Sequence, residues 1–181
     1  MKRRSAIKNL LIIAGGIAIL PSCSQESGRT SIQLNNLDIN QTQEDLLAEI
    51  TETIIPKTNS PGAKDLKLHL FVLKMVDDCH NKDDQKIFTD GLNAIDQLSK
   101  KRFSKSFNEA SLAQRTQLLQ FLESDKETRN DVEGFYAITK RRTIQGFLNS
   151  KYVMKDLKQY ELIPGRYNGY ASANETTIRI S

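Results

Sequence analysis

The sequence predicts an all-α fold: a single bundle of about five to six helices with an irregular C-terminal tail, preceded by a signal peptide and a polar tether. Three observations carry this. Apolar residues between positions 42 and 160 recur at helical spacing, successive stretches open on a capping residue, and no β-rich run separates them. A chain of 181 residues is by default one domain, long enough to bury a core without staples.

Thr42, ahead of Gln43, Glu44 and Asp45, opens the first helix. Its apolar positions Leu46, Leu47, Ile50, Ile54 and Ile55 run to Pro56, which stops it. Ser60-Pro61 supplies a cap and a first-turn proline for the second helix, with the stripe Leu66, Leu70, Leu73 and Val76 and an end near Cys79. Asn81, followed by Asp83 and Asp84, opens the third, whose apolar face is Ile87, Phe88, Leu92, Ile95 and Leu98. Lys100-Lys101-Arg102 closes it, as the helix dipole favours. Ser111 and Gln114 fit a capping box before Leu118, Leu119 and Leu122; Ser124 and Glu127 fit another before a run to about Leu148. From Glu161 onward the chain is turn-rich and aromatic, a segment laid over the bundle or offered to another protein.

The formal charge is +4, from 26 basic and 22 acidic residues, but Lys2, Arg3, Arg4 and Lys8 lie in a head without acids. The remainder is balanced, which excludes the electrostatic footprint of a nucleic-acid binder. The apolar run Leu10 to Leu20 has the length of a signal-peptide core and falls well short of the roughly 20 residues that span a bilayer. Leu20-Pro21-Ser22-Cys23 resembles a bacterial lipobox, which would make Cys23 the lipid-bearing first residue of the mature protein. An ordinary signal with a soluble product is the alternative. Arg3-Arg4-Ser5-Ala6-Ile7-Lys8 resembles a twin-arginine export signal, with Ala6 where an aromatic residue is usual; the Sec route is the alternative. The expected location is the bacterial cell envelope, as a periplasm-facing lipoprotein. The chain divides into a signal peptide (1–22), a lipidated N-terminus and flexible tether (23–41), the helical domain (42–160) and the tail (161–181).

Residues that could carry chemistry are few. Cys79-His80, with Asp77, Asp78, Asp83 and Asp84 nearby, brings ligand types together, but consecutive helical residues splay by roughly 100°. The cluster reads as a helix end where His80 complements the dipole. His69 reads as a half-buried packing residue. The only paired glycines lie in the signal, and G-x-S-x-G, H-E-x-x-H and C-x-x-C are absent. No catalytic, cofactor-binding or metal residue is assigned, and no activity of the isolated chain is expected. Lys140-Arg141-Arg142 is either a solvated stripe or a contact with an acidic partner surface.

Several segments together resemble the gluconate 2-dehydrogenase subunit 3 family. They are Leu47-Ala48-Glu49-Ile50-Thr51-Glu52-Thr53-Ile54-Ile55-Pro56, Ser60-Pro61-Gly62-Ala63, Asp77-Asp78-Cys79, Arg102-Phe103-Ser104-Lys105-Ser106-Phe107, Leu112-Ala113-Gln114-Arg115 and Pro164-Gly165-Arg166-Tyr167-Asn168-Gly169. The resemblance implies a small accessory subunit of a membrane-associated sugar, glucoside or gluconate dehydrogenase. Its partner would be a large FAD-dependent subunit of the glucose-methanol-choline type, with a cytochrome c as a further electron acceptor. The FAD would sit in the large subunit, and the small one would assist its folding, export and membrane association. Cys23 is not general in that family, and Tyr170 stands where relatives often carry a cysteine. Pro56, Pro61, Gly62, Arg166 and Tyr167 are the expected partner contacts, being rigid backbone and aromatic or Arg anchors, the alternative being that this turn and the tail only cap the bundle. The rival reading is a lipid-anchored binding or scaffold protein unrelated to redox chemistry.

Overall fold

The computed structural model describes Gly28, residues 30–124 and residues 131–157. The signal peptide with Arg3 and Arg4, the lipobox Cys23, and the tail with Arg166 and Tyr167 lie outside them. The described residues form α1 (Gln41–Ile54), α2 (Leu68–Cys79), α3 (Lys82–Phe103), α4 (Leu112–Ser124), α5 (Asp131–Leu148) and a π-helical turn, Tyr152–Leu157. No β-strand occurs among them, so the all-α prediction holds.

α5 is the centre of the bundle, packing against each of the other four helices and the π turn, most extensively against α3. Gly91 lets α3 and α5 close up: a β-carbon there would overlap the Phe135 side chain and the Asp131 carbonyl oxygen. Gly134 answers from α5, where a β-carbon would stand 2.6 Å from Ile87 Cγ2. Between them the Phe88 and Phe135 rings lie 5.2 Å apart and tilted. Leu47, Ile50, Val72, Leu73, Val76, Leu92, Ile95, Phe107 and Leu118 complete the fully buried core, each side chain contributing roughly 1.5–3 kcal/mol by its burial.

Local caps explain most helix ends. Asn81 accepts the Asp84 N–H at 2.8 Å to open α3, and Ser111 and Gln114 form the expected box on α4. Two expectations are corrected. α1 is capped by Asn40, in a reciprocal box with Gln43, and not by Thr42. α2 begins at Leu68 behind a left-handed Lys67 (φ 52°), seven residues after Pro61. The reason is tertiary: Ala63 N–H donates to Ile55 O at 2.9 Å and Lys64 N–H to Glu52 Oε2 at 2.8 Å, so this backbone is tied to the end of α1. In the last described turn of α4 the Ser124 hydroxyl donates to Phe121 O at 3.1 Å; Glu127, its expected box partner, lies outside the described residues.

The polar stretch expected to be a flexible tether is packed on the domain over residues 30–40, with Leu37 and Ile39 buried in the core. Asp77 holds it. Its carboxylate accepts the backbone N–H groups of Asn35 (2.9 Å), Asn36 (2.6 Å) and Leu37 (3.0 Å). Ser31 is fastened separately, its N–H donating to Glu44 Oε2 at 2.8 Å.

Candidate functional site

The turn after α1 is tied down through its backbone. Glu52 reaches across it, accepting Lys57 N–H at 3.0 Å and Lys64 N–H at 2.8 Å. Asp65 accepts Gly62 N–H at 3.2 Å and pairs with Lys57 at 3.0 Å. The hydrogen bonds from Lys57 and then Gly62 hold the Asp65 carboxyl below its usual range. Pro56 is exposed at the tip, Pro61 is half-buried and Gly62 is buried. Gly62 is required sterically, because a β-carbon would stand 2.7 Å from the Lys57 nitrogen and within reach of the Glu52 carboxylate. Of the three contacts expected here, Pro56 is the exposed one and Gly62 shapes the turn.

Behind the turn, Arg115 joins three elements. Its Nη1 donates to Glu49 Oε2 on α1 at 2.6 Å, Nε to Phe107 O at 2.9 Å and Nη2 to Asn108 O at 2.5 Å. Lys64 also bonds Glu49. Burial raises the Glu49 pKa, but the hydrogen bonds from Lys64 and Arg115 outweigh it, so the carboxyl lies below its ordinary value. Beside this group, Thr53, Ile54, Thr116, Leu119, Gln120, Tyr136 and Lys140 line a notch of about 160 Å³.

The Cys79-His80 corner is also structural. The His80 ring is buried; Nδ1 lies 3.0 Å from Asp84 Oδ2, and Nε2 accepts from Arg142 Nε at 3.0 Å and Nη2 at 2.8 Å. This pattern assigns the ring proton to Nδ1 and leaves neither nitrogen free to act as a base. Gln85 closes the corner by donating to the carbonyls of Val76 and Asp77 at 3.1 and 2.9 Å. Among the described residues no group of three or more His, Cys, Asp or Glu could hold a metal ion. His69 is half-buried as expected; burial lowers its pKa against the opposing pull of Glu44 and Asp45. Cys79 is exposed and unbridged among the described residues.

The basic run on α5 divides three ways. Lys140 pairs with Glu123 at 2.5 Å, Arg142 is taken by His80 and by Gln145 at 2.7 Å, and Arg141 is exposed.

Compared with known proteins, residues 41–165 match the family described as gluconate 2-dehydrogenase subunit 3. The chain belongs to that family. No curated protein and no solved structure is detectably similar to it. The family name makes it a subunit within a gluconate dehydrogenase complex. The matched region begins at the first residue of α1, so the packed segment 30–40 lies outside it.

Within the family region, the segments that carried the resemblance are the ones stitching the bundle: Glu49 and Glu52 from the first, Gly62 from the second, Asp77 from the third, Phe107 from the fourth and Arg115 from the fifth. Sequence reasoning missed Asp77, Arg115 and the His80–Arg142 pair as anchors. A signal existed for Asp77, an acid four residues after Leu73 on the buried stripe of α2. For the pair, separated by 62 positions, none did.

Proposed function

We infer that this chain is the non-catalytic small subunit of an exported FAD-dependent dehydrogenase acting on gluconate, a sugar or a glucoside. It assists folding, export and membrane association of the large flavoprotein subunit, whose electrons pass on to a cytochrome c. The observation that carries this reading is the family match over residues 41–165. It is supported by the use of the ionisable groups at the His80 corner and around Glu49 as mutual anchors, which suits a scaffold better than a reaction centre.

On the same reading the twin-arginine head exports the chain and lipid on Cys23 anchors it in the cell envelope, facing the periplasm. The packing of residues 30–40 sharpens this. Seven peptide steps separate Cys23 from Thr30, a covalent reach of at most about 25 Å. The domain would then sit against the bilayer surface and hold its partner there.

Deletion of this chain from its own cells tests the reading. Gluconate-, sugar- or glucoside-dependent dye reduction by washed membranes is expected to be lost and restored by the full-length chain. Membranes that keep full activity without it would contradict the reading and favour a scaffold unrelated to redox chemistry.

A further inference from the structure

Segment 30–40 is held to the bundle at two places that differ in chemistry. The inner one is Asp77, where three backbone N–H groups and Lys74 at 3.5 Å keep the carboxylate ionised. The outer one is Glu44 on α1, a buried carboxylate that accepts the Ser31 N–H at 2.8 Å with one oxygen and the Ser31 hydroxyl with the other. Ile32, next in the chain, lines a groove with Leu70 and Phe71, so the segment crosses the first turn of α2 at this point. His69 stands in that turn. Its Nε2 lies 4.0 Å from the Glu44 oxygen that the Ser31 hydroxyl uses, beyond hydrogen-bond distance, and its buried Nδ1 has no hydrogen-bond partner. A neutral ring tolerates this arrangement with one acceptor unpaired. A protonated ring carries a donor at each nitrogen, and a buried charged donor without an acceptor costs far more than a neutral group.

We propose that Ser31, Glu44 and His69 form a proton-operated catch on this segment: a proton on His69 turns Glu44 from Ser31 to the ring and frees Thr30 to Gln33, while Asp77 keeps residues 35–37 in place. The open form supplies what the protonated ring lacks, the Glu44 oxygen at Nε2 and water at Nδ1. The charged groups around the ring set when this happens. Glu44 and Asp45 of α1 favour the proton and Lys64 and Lys67 ahead of α2 oppose it, but burial outweighs the acids, so the pKa of the closed form lies below the ordinary histidine value. From α5, Arg142 is engaged with His80 at the other end of α2. Opening takes up the proton that the closed form resists, and acid therefore favours it. It gives up the packing of half-buried Ile32 and one bond at the segment's end, Gln41 N–H to Gly28 O at 3.2 Å. Where Cys23 carries lipid, as in the reading above, the catch sets the reach of the domain. Seven peptide steps, at most about 25 Å, separate Cys23 from Thr30, and eleven, at most about 40 Å, separate it from Leu34. Acid then lets the domain stand farther from the bilayer with its core intact.

The test is hydrogen exchange on the full-length chain, purified from its own cells, between pH 8 and pH 5 with intrinsic exchange rates divided out. Wild type is compared with His69→Gln, which cannot take the proton, and with Glu44→Gln, which weakens the catch at every pH. Thermal melts at pH 8 check that both variants stay folded. In wild type the Ser31 amide is expected to lose protection roughly tenfold as the pH falls, while amides 35–37 keep theirs. His69→Gln is expected to hold the Ser31 amide at one level of protection throughout, and Glu44→Gln to expose it already at pH 8. Unchanged protection of the wild-type Ser31 amide would overturn the catch. So would an equal fall in wild type and His69→Gln, or a loss at amides 35–37 and in α3 at the same pH, which is loosening of the whole domain. None of these readouts involves the flavoprotein, so the subunit reading stands or falls separately.

Discussion

The buried carboxylate of Asp77 accepts the backbone N–H of Leu37 at 3.0 Å across 40 positions of sequence. With the N–H groups of Asn35 and Asn36 on the same side chain, a residue in the last turn of α2 fixes the path of the chain before α1. Asp77→Ala would leave these donors without their acceptor, at a cost of about 2–4 kcal/mol. Hydrogen exchange should show amides 35–37 losing protection before α3 or α5 does. Unchanged protection would mean that Leu37 and Ile39 hold the segment by packing alone.

Acid should weaken the domain through the same side chain. Burial opposes ionisation of Asp77, but the three backbone donors and then Lys74 outweigh it, so its pKa lies below the ordinary value. Glu49 is shifted the same way. A depressed carboxyl gives stability that is complete above the ordinary carboxylate range near pH 4 and is lost as pH falls through the lower, folded-state value. His69, lowered by burial, adds a loss that starts at higher pH, below its ordinary value of about 6.5. Denaturant midpoints between roughly pH 7 and pH 2 should therefore fall, and fall less steeply for Asp77→Asn than for wild type below pH 4. Parallel curves for the two proteins would contradict the role given to Asp77.

Gly91→Ala tests the closest approach in the bundle. Alanine improves helix propensity by about 1 kcal/mol, yet its β-carbon would overlap Phe135 and the Asp131 carbonyl. Overpacking should win, leaving the variant about 2 kcal/mol less stable. Gly134→Ala meets the movable end of Ile87 and should cost less. Thermal melts rank the two, and the opposite order would show that α3 and α5 are not held at this distance.

Arg115→Met keeps much of the side chain's apolar stem and removes its donors to Glu49, Phe107 O and Asn108 O. A loss of about 2–3 kcal/mol is expected, since part-buried charge-assisted bonds are broken and Glu49 keeps only Lys64. A double-mutant cycle with Glu49→Gln should show coupling; additive losses would show that the pair contributes little.

What was legible in the sequence was what neighbouring residues decide. α3 was readable at both ends because Asn81 caps it and its last turn carries Lys100, Lys101 and Arg102. The start of α2 was misread because Ser60-Pro61 is a good local signal that Glu52 and Ile55 override from another element. Partnering of Arg142 by His80 and of Lys140 by Glu123 leaves Arg141 as the exposed cation of that run, which no spacing rule could have sorted.

Whether this chain serves a flavoprotein rather than a reaction of its own is decided by one measurement. The full-length protein is affinity-purified from its own cells, and the absorbance spectrum and chain composition of the eluate are recorded. The predicted result is a large flavin-bearing chain in near-equal amount, with the flavin bleached by gluconate, a sugar or a glucoside. A colourless protein eluting alone, with membranes that still oxidise those substrates, would contradict it.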